Sequence, residues 1–185
     1  MYFCREIYGL EFQKTAVSLF SDSVSESGVG DRIFPVEGDL RQLPDALLPR
    51  RFDLVVCNPP YFQGSPSPDP EKATARTEGS CTFTEVCKAA RKLLRFGGRF
   101  CFSFKPERLP DAFSALRENG MEPKRLSLVA DRADAVPWLS LIEGRVGGKP
   151  GLRIEPLFAV RNADGSLSRR TDALYQAPYQ KARKL

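Results

Sequence analysis

Phe52-Asp53-Leu54-Val55-Val56-Cys57-Asn58-Pro59-Pro60-Tyr61 is the stretch that decides the fold. Its first six residues form a continuous apolar run interrupted only by Asp53. A run this short, closed by two prolines, predicts a strand covered by helices on both faces of a parallel sheet. Each proline fixes its own φ and pushes the residue before it out of the helical region. The strand therefore runs into a stiff loop that holds the Asn58 side chain and the Pro59 carbonyl in set directions. In open parallel sheets, loops at the carboxyl ends of strands line the ligand crevice.

Upstream, Ile7-Tyr8-Gly9-Leu10-Glu11-Phe12 predicts a strand ending in an acid. Apolar positions at helical spacing (Ala16, Val17, Leu19, Phe20, Val24) predict a helix over 13–27, stopped by Gly28. Arg32 to Asp39 predicts a second strand ending in an acid, with Pro35 suggesting an edge or a strand end. A short helix is expected over 41–48. Downstream, residues 62–80 are expected to form a long loop rich in Pro, Ser and Gly, a length that favours a functional or mobile role. A helix follows over 82–95, capped by Gly97-Gly98. Next come a strand over 99–104, a helix over 109–119, and an antiparallel pair, 124–130 with 138–146, at the sheet's far edge. Alternation of this kind predicts a three-layer α/β fold with a mostly parallel sheet.

Composition narrows the chemistry. The 185 residues favour one domain, and a hydrophobic content of 42% fits a globular chain. There is no histidine, which excludes serine–histidine hydrolysis and histidine-ligated metal sites. The five cysteines show no zinc-ligand spacing and read as reduced thiols of a cytoplasmic protein, with no metal expected. No apolar run approaches a membrane span, and no secretory signal opens the chain. The balance of 28 basic against 23 acidic residues permits nucleic-acid binding without requiring it. Residues 169–185 carry Arg169, Arg170, Lys181, Arg183 and Lys184 against Asp172. This reads as a basic tail, solvated or in contact with phosphate.

At Asn58, two acceptors, the side-chain oxygen and the Pro59 carbonyl, match the two hydrogens of a planar amino group. When such a nitrogen is methylated it loses conjugation and gains positive charge, so acceptors aimed at it favour the transition state over the ground state. Tyr61 offers a face on which a base can stack. The alternative is a polyproline turn with no chemical role. Glu11 suits ribose hydroxyls and Asp39 an adenine amino group. Otherwise they are solvated acids, a helix cap or, for Gly38-Asp39, a turn pair.

These residues together resemble a family. Gly38-Asp39-Leu40-Arg41 and Phe52 to Phe62 are similar to class I S-adenosylmethionine-dependent methyltransferases. They most resemble the bacterial branch that makes N6-methyladenine in the anticodon loop of tRNA(Val). Ala75-Arg76-Thr77-Glu78, Leu93 to Arg99, Lys105 to Leu109 and Gly147 to Leu152 resemble further blocks of that branch. The resemblance implies a Rossmann-like fold, S-adenosyl-L-methionine as cofactor, and tRNA as partner. It implies Glu11, Asp39, Leu40 and Asn58 for the cofactor. Asn58, Pro59, Pro60 and Tyr61 become the catalytic loop, and Tyr61, Phe62, Arg76 and Glu78 contact the substrate. Read without the family, Arg76 and Glu78 are an exposed helix start, Glu78 suiting the positive helix N-terminus. The family begins with a strand and a glycine-rich loop. This chain is expected to start at the family's second strand, giving a methyltransferase domain over 1–168 whose cofactor pocket is incomplete. Rival expectations are a protein-glutamine or ribosomal-guanine N-methyltransferase, and a non-catalytic RNA-binding remnant.

Overall fold

The structure, a computed structural model, describes residues 4–59 and 81–182, with side chains through residue 176. It divides into two compact units, Met1–Arg51 and Phe52–Leu185.

The first unit is a strand–helix–strand. Strands β1 (Ile7–Glu11) and β2 (Ile33–Glu37) pair in parallel with Gly9 opposite Pro35, and helix α1 (Lys14–Glu26) connects them. The helix packs so closely that a Cβ on Gly9 would stand 2.3 Å from the Phe20 ring, so only glycine fits there. Val24 and Leu47 are its buried apolar anchors. The helix expected over 41–48 does not form. That stretch is a succession of turns, closed by Leu47 N–H to Pro44 O at 2.9 Å and Arg50 N–H to Leu47 O at 3.1 Å. Pro44 and Pro49 supply no amide donor, and each biases the residue before it away from helix.

The second unit holds a six-stranded sheet. β3 (Phe52–Cys57) pairs in parallel with β4 (Leu94–Phe104). β6 (Leu139–Val146) lies antiparallel between β4 and β5 (Met121–Ala130), and the short β7 (Arg153–Ile154) and β8 (Phe158–Ala159) pair in parallel with β5. The expected antiparallel pair is thus present, but β6 sits inside the sheet rather than at its edge. Between the strands come α2 (Phe83–Leu93), a 3-10 turn (Pro106–Arg108) and α3 (Leu109–Glu118).

One sheet face carries the core. Phe100, Phe102 and Phe104 alternate inward along β4 and cluster with Phe83 of α2, whose ring lies 4.8 Å from Phe102 and 4.5 Å from Phe104. Gly144 on β6 admits Leu116 of α3, since a Cβ there would stand 2.9 Å from it. On the opposite face Val56 is 70% exposed, and β3 ends the strand order. Among the described residues of this unit, the expected cover on both faces of β3 is found on one face only. Helix α2 begins in a reciprocal cap: Thr82 N–H donates to Glu85 at 2.7 Å, and Glu85 N–H donates to Thr82 Oγ1 at 3.3 Å. It ends at Leu93, because Leu94 is already extended and pairs with Phe52. Gly97-Gly98 is thus not a helix cap. It lies inside β4, where the register to β3 shifts and Gly97 takes a φ of +75°.

The stretch 169–182, read as the start of a tail, forms helix α4 (Arg169–Ala182). Its first turn is held by Ser168 Oγ, which donates to Ala159 O at 2.7 Å and accepts from Thr171 N–H at 3.2 Å.

Candidate active site

Asn58 follows β3 directly, and the register explains its partner. Cys57 pairs with Phe102, so the next residues along the two parallel strands, Asn58 and Ser103, come side by side. The Ser103 hydroxyl donates to Asn58 Oδ1. A carboxamide oxygen accepts two hydrogen bonds, so Ser103 orients the group and leaves one acceptor position. Asn58 is exposed and Pro59 is buried. Ser103 was not singled out in the sequence. Its signal lay in the alternation Phe100-Cys101-Phe102-Ser103-Phe104, where the small polar residue shares the face opposite the phenylalanines.

Cys57 adjoins Asn58 in sequence. Burial, with a smaller contribution from Cys81, pushes its thiol up to about 11, so it is neutral at physiological pH and unsuited to nucleophilic attack. Among the described residues no group of three or more His, Cys, Asp or Glu side chains is arranged to hold a metal ion.

Glu11 and Asp39 lie in the first unit, at the carboxyl ends of β1 and β2, where Gly38 N–H donates to Glu11 O at 2.9 Å. Glu11 Oε1 accepts from Gln13 N–H at 2.8 Å, which fixes the carboxylate at the entrance to α1 and leaves Oε2 for a ligand hydroxyl. Asp39 is more fully engaged. Its Oδ1 accepts from Arg41 N–H at 2.8 Å, and the Arg41 guanidinium grips the carboxylate, with Nε 2.9 Å from Oδ2. Hydrogen bonding to that guanidinium holds the Asp39 carboxyl below the usual carboxylate range. Leu40 is half-buried in the same turn. Glu11 thus fits a ribose diol as it stands, whereas Asp39 fits an adenine amino group through lone pairs it shares with Arg41. Pro60, Tyr61, Phe62, Arg76 and Glu78 lie outside the described residues.

A mixed α/β sheet with Asn58 and Pro59 just past the carboxyl end of a strand paired in parallel narrows the class, and solved structures agree on the fold. A predicted O-methyltransferase from Agrobacterium tumefaciens superposes with a TM-score of 0.73 at 15% identity, over 92% of this chain and 77% of that one. A tRNA m1G37 methyltransferase from M. jannaschii gives a TM-score of 0.53 at 13% identity, over 78% of this chain and 37% of that one. The fold is the Rossmann-like fold of class I methyltransferases. No family model matches the chain. Curated relatives narrow the class. The tRNA1(Val) (adenine(37)-N6)-methyltransferase of Bacteroides fragilis is 30% identical over 138 residues, which is 74% of this chain and 58% of that protein. The enzyme of the same name from Yersinia pestis is 34% identical over 97 residues, 52% of this chain and 39% of that one. The chain is thus homologous to tRNA1(Val) adenine-N6 methyltransferases and spans 58% of the length of the Bacteroides fragilis relative.

Proposed function

We propose that this protein is the catalytic core of an S-adenosylmethionine-dependent methyltransferase that modifies the N6 nitrogen of an adenine in a tRNA anticodon loop. The observation that carries the reading is the Asn58 carboxamide, at the carboxyl end of β3, oriented by the Ser103 hydroxyl. It supports an amino-group acceptor because the oxygen retains a lone pair and the adjoining Pro59 is buried. The relatives' name supports adenine in tRNA over glutamine or guanine as the acceptor.

When bound, S-adenosylmethionine supplies a methyl group activated by its sulfonium. Glu11 would hold the ribose hydroxyls of that cofactor, and Asp39 and Leu40 would border its adenine. Asn58 Oδ1 and the Pro59 carbonyl accept the two amino hydrogens of the target base. They draw the nitrogen out of conjugation with the ring and stabilise the positive charge that develops on it. Tyr61 stacks on the base, while Phe62, Arg76 and Glu78 border the RNA. The amino group becomes acidic once alkylated and loses its proton to solvent late, so no histidine or other strong base is required. An anticodon loop presents unpaired bases, which lowers the cost of bringing one into the site.

The test is incubation of the protein with methyl-labelled S-adenosylmethionine and tRNA, followed by mass spectrometry of the nucleosides. Label is expected in N6-methyladenosine, and Asn58→Ala is expected to lower the rate at least a hundredfold, as loss of a transition-state acceptor does. Label confined to guanine or to peptide glutamine would overturn the substrate.

A further inference from the structure

The amino-terminal part of β4, Arg95-Phe96-Gly97-Gly98-Arg99, carries an aromatic ring and two guanidiniums at the opposite end of the strand from Ser103. Phe96 is 78% exposed. Its ring rests against Gly147, where a Cβ would stand 2.2 Å from Cε2 and where φ is +64°, so the seat exists only because that residue is glycine. Two guanidiniums converge beside it. A terminal nitrogen of Arg95 and one of Arg145 each lie 3.8 Å from the position a Gly97 Cβ would take. Both are fixed in place: Arg145 Nε donates to Gly97 O at 3.2 Å, and Arg95 Nη1 donates to Phe96 O at 3.1 Å.

The local charge is unbalanced. Arg99 and Arg145 are directly opposed on antiparallel strands, an arrangement that like charges disfavour. Three carboxylates answer five guanidiniums there: Asp53 pairs with Arg95 at 2.5 Å, Glu143 is shared between Arg125 at 3.5 Å and Arg99 at 3.9 Å, and Glu122, opposite Arg145 in register, pairs with Arg117 at 2.8 Å. Arg145 makes no ion pair among the described residues. An exposed ring flanked by oriented guanidinium forks is the equipment for a stacked base and its phosphates.

The geometry points to a second RNA-docking surface, formed by Phe96, Arg95, Arg99 and Arg145, that grips the substrate RNA away from the target base. It rests on the reading that the substrate is tRNA. At a rise of about 3.3 Å per residue, Phe96 stands roughly 23 Å along β4 from Ser103. The nucleotide it binds is therefore distinct from the one at Asn58. The surface selects a whole tRNA over its isolated anticodon arm.

The test measures binding of full-length tRNA and of an anticodon stem-loop to the wild-type protein, Phe96→Ala and Arg145→Gln, across a salt series, with circular dichroism to match the folds. Phe96 is largely exposed, so its truncation leaves the core intact. Each variant is expected to weaken full-length tRNA binding about tenfold while stem-loop binding stays within twofold. Arg145→Gln is also expected to flatten the salt slope by about one. Full-length binding unchanged in both variants, equal losses for both RNAs, or no tRNA binding by the wild type would overturn the surface. Poly-glutamate competing through the same residues with equal strength would reassign it to an acidic protein, and that also overturns it. The two readings fail separately. Methylation that persists while the variants bind normally removes only the docking surface. Weakened binding by the variants, with no N6-methyladenosine made by the wild type, removes only the reaction.

Discussion

The Asn58–Ser103 contact shows what a residue needs beyond its identity to act as an acceptor. A carboxamide on an exposed loop rotates and turns either its oxygen or its nitrogen toward a ligand. The Ser103 hydroxyl, one strand away, breaks that symmetry by donating to the oxygen. Ser103→Ala is expected to lower kcat about tenfold with little change in KM, because the lost contact orients the acceptor and does not bind substrate. Ser103→Thr keeps the hydroxyl on a strand-favouring side chain and is expected to recover most of the rate. Steady-state kinetics on tRNA distinguishes the two effects, and a rise in KM with unchanged kcat would assign Ser103 to substrate binding instead. At this scale the placement of Asn58 at the carboxyl end of β3 was legible, because an apolar run closed by two prolines has to stop there. Ser103 was not, because nothing in one strand's sequence names its neighbour on another. The Asp39–Arg41 clamp is the converse: it was written locally in Gly38-Asp39-Leu40-Arg41, yet the acid read as available.

At the scale of elements, the regular strands and helices followed their periodicity, and the misreadings cluster where proline or glycine had two uses. Gly97-Gly98 after an amphipathic helix has the form of a helix stop. Here the helix yields earlier, because Leu94 gains burial and a strand partner by extending, and the glycines serve the bulge in β4. The turns over 41–48 replaced a helix because Pro44 packs onto Gly38, where a Cβ would stand 2.4 Å from the proline ring. β7 and β8 have two residues each, too short for any alternation to declare them. The start of α2, by contrast, is secured by Thr82 and Glu85 in a spacing visible in the sequence. Thr82→Ala leaves an orphan amide at that end and is expected to cost about 1 kcal/mol of stability. Denaturant unfolding monitored by circular dichroism measures it. A loss of only a few tenths would mean that packing of Phe83 alone secures the helix start.

For the whole molecule, the order of elements and the Asn-Pro-Pro-Tyr loop carried the fold class, and the superposition at a TM-score of 0.73 agrees with it despite 15% identity. The side on which the second unit builds its core was less legible, since β3 reads as apolar on both faces while only one is covered among the described residues of that unit. A thiol in that core, Cys87, and a half-buried one beside it, Cys57, couple its stability to pH. Cys87 of α2 is fully buried, and burial, then Cys57 and Glu118, pushes its thiol from 9.0 to about 12. Cys57 is pushed by burial to about 11. Both folded values lie above the unfolded one, so the stabilisation is fully present below pH 9.0 and is lost as pH rises toward 11 and 12. The thermal midpoint is therefore expected to hold between pH 7 and about 8.5 and then to fall progressively. Tyrosines and lysines titrate in the same alkaline range, so the thiol share is read by difference. Cys87→Ala is expected to melt lower at neutral pH, because it opens a cavity, but to lose less on going to pH 10 or so, because one thiolate no longer favours the unfolded chain. Parallel alkaline slopes for the wild type and Cys87→Ala would show that this thiol does not carry the coupling.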